Sequence, residues 1–465
     1  MAHENVSELV QQAAEHAVAY LKTVDDRPVM ARASFDDMVA AFGGPVPEGP
    51  TDPAEVIDRM AVSAEPGLTA MGSGRFFGFV IGGSVPAAQA ADVLVGAWEQ
   101  NVGSNDYTPA VSAMEYVAGR WVLELLGLPS AASVGWVTGG MMANFTGLAT
   151  GRLNVLAQHG WDVNAQGLQG APDVYVVVGD ERHTTIDLAL NFLGLGAGRS
   201  HQVPTDEHGV MTVNALRSVL ESVPRGAPLI VCLAAGNVNT GAFDPMGACI
   251  DVAHDFGAWV HVDGAFGLWA GASSDLRHLV EGVERADSWA TDAHKWLNVP
   301  YDCGIAITAH QDAHRVAMYS RASYVPMGHA AIPDPSELVP EFSRRARGVP
   351  SWAAIASLGR SGVAELVERC CAHARAFAEA LGEVDGIDVL NDVVLNQVLV
   401  RFGDSDDITR QVTGAIPADG TMLMSGTTFK GRAALRISVC NWRTTDDDVQ
   451  RCVDVLARLF SEART

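Results

Sequence analysis

The sequence predicts an α/β protein whose large domain is built on a mainly parallel sheet and is followed by a small α+β domain. Three observations predict it. Short apolar runs at 134–137, 174–178, 229–234, 258–262, 288–291 and 304–308 are interleaved with helical periodicities and glycine-rich turns, as in strands joined through helices. The chain's 465 residues exceed what one core organises. Past residue 346 a long amphipathic helix gives way to short strands and a closing helix, which marks a second unit. The expected division is an amino-terminal helical segment over 1–70, a large domain over 71–345 and a small domain over 346–465.

Composition narrows the function classes. A formal charge of −24 leaves no basic surface to displace counterions from nucleic acid, and it disfavours anionic membranes. The seven cysteines are scattered, with Cys370-Cys371 the single adjacent pair, so they form neither a disulfide framework nor a zinc spacing and read as thiols of a reducing compartment. The terminus Met-Ala-His-Glu-Asn lacks a basic region followed by an apolar core, and no apolar run approaches ~18 residues. A cytoplasmic protein without nucleic-acid, membrane or metal partners is expected.

In chain order, apolar residues from Val6 to Leu21 recur at helical spacing over 4–24; a Pro- and Gly-rich linker spans 43–53, and 52–63 reads as a second short helix. Residues 76–83 combine aromatics with glycines, so Phe77 and Phe79 either line a pocket or belong to a bent core strand. A helix over 108–126, begun by Pro109, precedes the strand at 134–137. That strand enters Thr138-Gly139-Gly140-Met141, which opens a helix: free backbone N–H groups and a positive dipole end make Gly139, Gly140 and Met141 a candidate anion seat, or a plain turn. His183, just past the strand at 174–178, is either a capping residue or a site residue, and the strand at 229–234 runs into a loop containing Asn237.

The chemistry concentrates in His261-Val262-Asp263-Gly264-Ala265 and Asp292-Ala293-His294-Lys295-Trp296. Lys295 is one of very few lysines and lies between two apolar strands, where a desolvated amine is available as a nucleophile toward a carbonyl. The aldehyde of pyridoxal phosphate is such a carbonyl. Asp263 emerges at a strand's carboxyl end, where a carboxylate can hold the proton on a pyridinium nitrogen.

This order of motifs resembles the group II pyridoxal-phosphate decarboxylases of fold type I, which act on aromatic amino acids, glutamate and diaminobutyrate. The resemblance implies Lys295 as the Schiff-base lysine, Asp263 as the pyridinium partner and His183 stacked on the ring. It also implies cofactor contacts at Gly139, Gly140, Met141, Asn237, Ala265, Asp292 and His294, and a substrate pocket drawing on Phe77, Phe79 and Tyr324. Met141 and Met142 depart from the family's Gly-Gly-(Thr/Ser)-Glu-Ala-Asn, which leaves the phosphate to backbone amides and other side chains, and Asn237-Val238 stand where threonines are common. Arg436, in the carboxyl-terminal motif 435–445, either clamps a substrate carboxylate or forms a structural ion pair.

Aligned on Arg344-Arg345, Asp334-Pro335 replaces the aspartate–tyrosine pair whose tyrosine helps protonate the carbanion in aromatic amino acid decarboxylases; Tyr319 and Tyr324 are out of register. A homodimer with active sites at the subunit interface is implied. So is decarboxylation of an L-amino acid through an external aldimine and a quinonoid. The alternatives are oxidative deamination to an aldehyde, carbon–carbon cleavage, or a non-catalytic binding protein. Beyond the long loop 318–347, a helix over 352–382 precedes strands at 387–390, 397–402, 421–424 and 435–439 and a helix over 446–459.

Overall fold

The computed structural model describes residues 6–318 and 332–465. Seven strands form the larger sheet: β1 (Ser133–Val137), β2 (Tyr175–Gly179), β3 (His201–Val203), β4 (Leu229–Ala234), β5 (Trp259–Asp263), β6 (Ser288–Asp292) and β7 (Gly304–Thr308). Their order is β1-β7-β6-β5-β4-β2-β3. The run from β3 to β6 is parallel throughout, while β7 is antiparallel to both β6 and β1. The expected α/β architecture with a mainly parallel sheet is therefore what forms. Strands β6 and β7 are buried along their whole length, and β4 and β5 nearly so, which explains why they read as continuous apolar runs rather than alternating ones.

Five helices come ahead of the sheet, α1 (Val6–Thr23), α2 (Phe35–Phe42), α3 (Pro53–Ala64), α4 (Pro86–Trp98) and α5 (Pro109–Leu126), and α6 (Gly140–Ala157) follows β1. Pro109 begins α5 and Gly127, at φ 70°, ends it. None of the residues of α1, α2 or α3 is buried. The buried Arg344–Glu115 pair, at 2.7 Å, ties α5 to the chain just before the long helix Gly348–Gly382, and Glu115 also accepts from the Gly348 amide at 3.0 Å. Removing one partner of such a pair costs about 3–5 kcal/mol.

The helix Gly348–Gly382 starts earlier than the expected 352 and changes direction at Gly359, where φ is 64°. After it, β8 (Ile387–Val389), β9 (Gln397–Phe402), β10 (Ser425–Phe429) and β11 (Arg432–Ser438) form an antiparallel sheet in the order β10-β11-β9-β8. The strand expected at 421–424 is displaced. Leu423 in that apolar run only bridges Phe76, and the more polar Ser425–Phe429 pairs with β11 because Lys430 and Gly431, both at positive φ, close a two-residue hairpin. Among the described residues no helix is long and apolar enough to cross a membrane.

Candidate active site

In a parallel sheet every strand delivers its carboxyl end to the same edge, and ligands gather there. Gly139 and Gly140 follow β1, His183 follows β2, Asn237 follows β4, Asp263 closes β5, and Asp292 closes β6 with His294 and Lys295 just beyond. A cavity of ≈ 260 Å³ opens at this edge. Its lining contains Gly139, Gly140, Met141, His183, Asn237, Asp263, Ala265, Asp292, His294 and Lys295, so the structure brings every expected cofactor residue to one place.

Lys295 is less isolated than its apolar flanks suggest. Its Nζ lies 2.8 Å from Asp292 Oδ2, and its side chain keeps 22% of its exposure. The apolar setting read from the sequence is thus corrected to an ion pair at the cavity wall, because the strand end supplies its own carboxylate. Asp292 is 1% exposed, and among the described residues its carboxylate oxygens have no hydrogen-bond partner, so the Lys295 ion pair is its main electrostatic contact. His294 stands 3.6 Å from Asp292, accepts from the Cys303 amide, and rests against the Tyr301 ring at 4.3 Å between centroids. Burial holds the His294 imidazole below its usual range.

Asp263 accepts from Asn144 Nδ2 at 3.1 Å and from the Ala265 amide at 3.3 Å. His183 is a capping residue and also lines the cavity. Its Nδ1 caps the helix Thr184–Phe192 by accepting from the Thr185 amide and pairs with the Thr185 hydroxyl at 2.8 Å, while the ring stays open to the cavity. Loss of water around the ring holds its imidazole below the usual range, against the pull of Asp263 and in step with Lys295 and Arg436.

These residues fit pyridoxal phosphate. Gly139 brings no side-chain cap to α6, so the first-turn amides face the cavity edge unfilled, and a Cβ at Gly140 would come within 2.7 Å of Asp292 Oδ2. Room and donors for an anionic phosphate therefore exist beside Lys295, whose charge offsets Asp292. Met141 lies in that first turn and supplies only its amide there.

Other expected residues lie elsewhere. Phe77 is buried in the core, edge-on to Phe377 at 5.1 Å, and Phe79 is 60% exposed at positive φ, so Val80 is the member of that segment that lines the cavity. The bent-core alternative therefore describes Phe77. Asn237 lines the cavity, but its Oδ1 accepts from the Asn239 and Thr240 amides and its Nδ2 donates to the Glu181 backbone carbonyl, which spends the Asn237 amide on the loop. Arg436 on β11 donates to the Val238 carbonyl at 3.3 Å; its Nε is buried without a partner, and burial lowers its guanidinium from the usual value. Tyr319 and Tyr324 lie outside the described residues. Asp334 accepts from the Asn105 amide at 2.7 Å and caps the turn Pro335–Glu337.

Two residues were not singled out from the sequence. Asn144 lies just past the anion seat and Thr185 two residues after His183, and helical spacing could have flagged Asn144, one turn after Gly140 on α6.

Residues 37–402 match the family described as the pyridoxal-dependent decarboxylase conserved domain. The aromatic-L-amino-acid decarboxylase of Bacillus atrophaeus is 25% identical over 474 residues, covering 99% of this chain and 96% of that one. The 4-hydroxyphenylacetaldehyde synthase of Rhodiola rosea is 24% identical over 454 residues, covering 95% and 91%. The crystal structure of Oryza sativa TDC with PLP and tryptamine superposes with a TM-score of 0.92 at 22% identity, covering 99% of both chains, a likeness of fold.

Proposed function

The chain belongs to the pyridoxal-dependent decarboxylase family, and on that premise we propose that it removes the α-carboxyl group of an L-amino acid at the cavity where Lys295, Asp263 and His183 meet. Pyridoxal-phosphate-dependent carboxy-lyase chemistry on an amino acid follows from the family; the residue roles rest on geometry. The observation that carries them is one cavity at the sheet's carboxyl edge, with an amine, a half-buried carboxylate and an accessible imidazole on its wall.

Bound pyridoxal phosphate supplies an electron sink for the pair of electrons left when CO2 departs. Lys295 Nζ is the amine that holds its aldehyde carbon. Asp263, fixed by Asn144 and the Ala265 amide, would hold a proton on the ring nitrogen of the bound group. The uncapped start of α6 at Gly139, Gly140 and Met141 would hold the phosphate, and His183 would cover the ring and exclude water there. The proton that replaces CO2 on the substrate Cα comes from His183 Nε2, or from Tyr324 outside the described residues.

Arg436 is proposed to receive the substrate carboxylate. Its buried, unpartnered Nε and the absence of any carboxylate pair for it among the described residues support this reading over a structural ion pair. Arg436→Leu is expected to raise KM by about 10- to 100-fold, the weight of a charge-assisted hydrogen bond, with a smaller change in kcat. Steady-state kinetics on the preferred amino acid checks it, and an unchanged KM would return Arg436 to a structural role.

The proposed working unit is a homodimer with active sites at the interface, formed by segments 1–70, 71–345 and 346–465. In support, no residue of α1, α2 or α3 is fully buried within the subunit, and Phe35, Val6 and Val62 are 81%, 71% and 68% exposed. Seven free, buried cysteines support a cytoplasmic setting.

A second reading, oxygen-dependent conversion of the amino acid to an aldehyde, draws on Asp334-Pro335, which places no tyrosine where the resemblance calls for one, and on the synthase name of the Rhodiola rosea relative. A screen of L-amino acids that follows CO2, amine, aldehyde and oxygen together separates the two. The decarboxylase gives CO2 and amine in equal yield without oxygen uptake. Aldehyde with ammonia and peroxide, one oxygen consumed per CO2, would reject simple decarboxylation.

A further inference from the structure

Behind Asp263, on the side away from the cavity, α6 and the sheet enclose a row of polar side chains. Trp259, His261 and Asp263 alternate along β5 and so share one face, and Ser288 on β6 is in register with His261. Asn144, His261 and Ser288 are 0% exposed. Helix α6 approaches this closely because Gly147 faces the ring: a Cβ there would lie 2.7 Å from His261 Nδ1. Polar groups in such a place are costly unless each finds its partner, and here each does.

The donors and acceptors agree on one direction. An indole N–H can only donate, and Trp259 Nε1 donates to Ser288 Oγ at 2.9 Å. Ser288 then has its own hydrogen for His261 Nδ1, at 2.8 Å. Burial pushes the His261 imidazole down to about 3, so the ring is neutral and carries its one proton on Nε2, which donates to Asn144 Oδ1 at 2.9 Å. Both N–H groups of the amide are left for Asp263 Oδ2 at 3.1 Å and Thr185 Oγ1 at 3.2 Å, and the Thr185 hydroxyl passes on to His183 Nδ1 at 2.8 Å. Run in reverse, the row would set the Asn144 carbonyl oxygen against the Asp263 carboxylate, acceptor facing acceptor.

We infer that Trp259, Ser288, His261 and Asn144 form a one-way hydrogen-bond chain that orients the Asp263 carboxylate toward the ring nitrogen of the cofactor. Asn144 and His261 are its positioning residues, and this rests on the reading of Asp263 given above.

The test uses the full-length apoprotein and two probes: pyridoxal phosphate, and its carbocyclic analogue with CH in place of the ring nitrogen. Dissociation constants are measured by absorbance titration for the wild type, Asn144→Ala, His261→Phe, His261→Gln and Asp263→Ala. Asn144→Ala and His261→Phe are expected to weaken pyridoxal phosphate about tenfold, and His261→Gln, which keeps an N–H donor, to recover most of the loss. Toward the analogue the same variants should lose less than about threefold, because its ring offers Asp263 nothing to hold. Equal losses on both probes in Asn144→Ala would reduce the chain to a packing device and overturn the inference, as would no loss on either. If His261→Phe does not fold, Asn144→Ala, which places a good helix former in α6 and is checked for native fold by circular dichroism, decides alone. Should Asp263→Ala itself bind both probes like the wild type, the Asp263 reading falls and takes the inference with it; a normal Asp263 effect with a silent Asn144 removes the inference only.

Discussion

Replacing Asp263 with alanine is expected to lower turnover by about 10²–10³-fold, the weight of one preorganised electrostatic partner at a reacting centre, while leaving the fold intact. The carboxylate closes β5 and accepts from Asn144 and the Ala265 amide, so it is held in place before any ligand arrives. On the proposed reading alanine removes the group that would keep the ring nitrogen protonated, and electrons released by decarboxylation then have a poorer sink. The loss should fall on kcat more than on KM, since the substrate's own contacts are untouched. Circular dichroism together with single-turnover rates checks it. Near-normal turnover in Asp263→Ala would place the ring-nitrogen partner elsewhere.

Lys295→Ala is expected to be the more damaging of the two, with turnover reduced on the order of 10³-fold or more, because a tethered reactant is lost along with its high effective concentration. Lys295 sits on the turn after β6 with its Nζ held 2.8 Å from Asp292, which aims the amine into the cavity. The same variant leaves Asp292 buried without its counter-charge, so a drop in thermal stability should accompany the loss of turnover. Rate measurements with added pyridoxal phosphate, beside thermal unfolding, separate the two effects.

How much of this was legible in the sequence depended on whether a signal was local. Strands β4, β7 and β9 fall at the expected residues because continuous apolar runs bounded by turn residues leave little choice of register. Helix α4 (Pro86–Trp98) and the short β3 passed unread, the first amid alanines that give a weak stripe and the second because three residues at a sheet edge carry almost no pattern. Position β10 was misread because hairpin closure at Lys430-Gly431 outweighed the apolar run before it. In the site, Lys295, Asp263 and His183 were readable as residues that follow strands. The ion pair of Lys295 with Asp292 and the withdrawal of Phe77 into the core depend on three-dimensional packing that no spacing encodes. Asn144 was visible as a letter of a motif, but its contact with Asp263 joins residues 119 apart in the chain.

The central claim, that Lys295 holds the cofactor, is tested most directly by reducing the pyridoxal-phosphate-loaded protein with borohydride and mapping the fixed adduct by peptide mass spectrometry. The chain offers three lysines, Lys22, Lys295 and Lys430, so two internal controls are built in. The account predicts one adduct per chain, on the peptide containing Lys295, and none in Lys295→Ala. An adduct on Lys22 or Lys430 in place of Lys295, or a protein that takes up no pyridoxal phosphate, would contradict it.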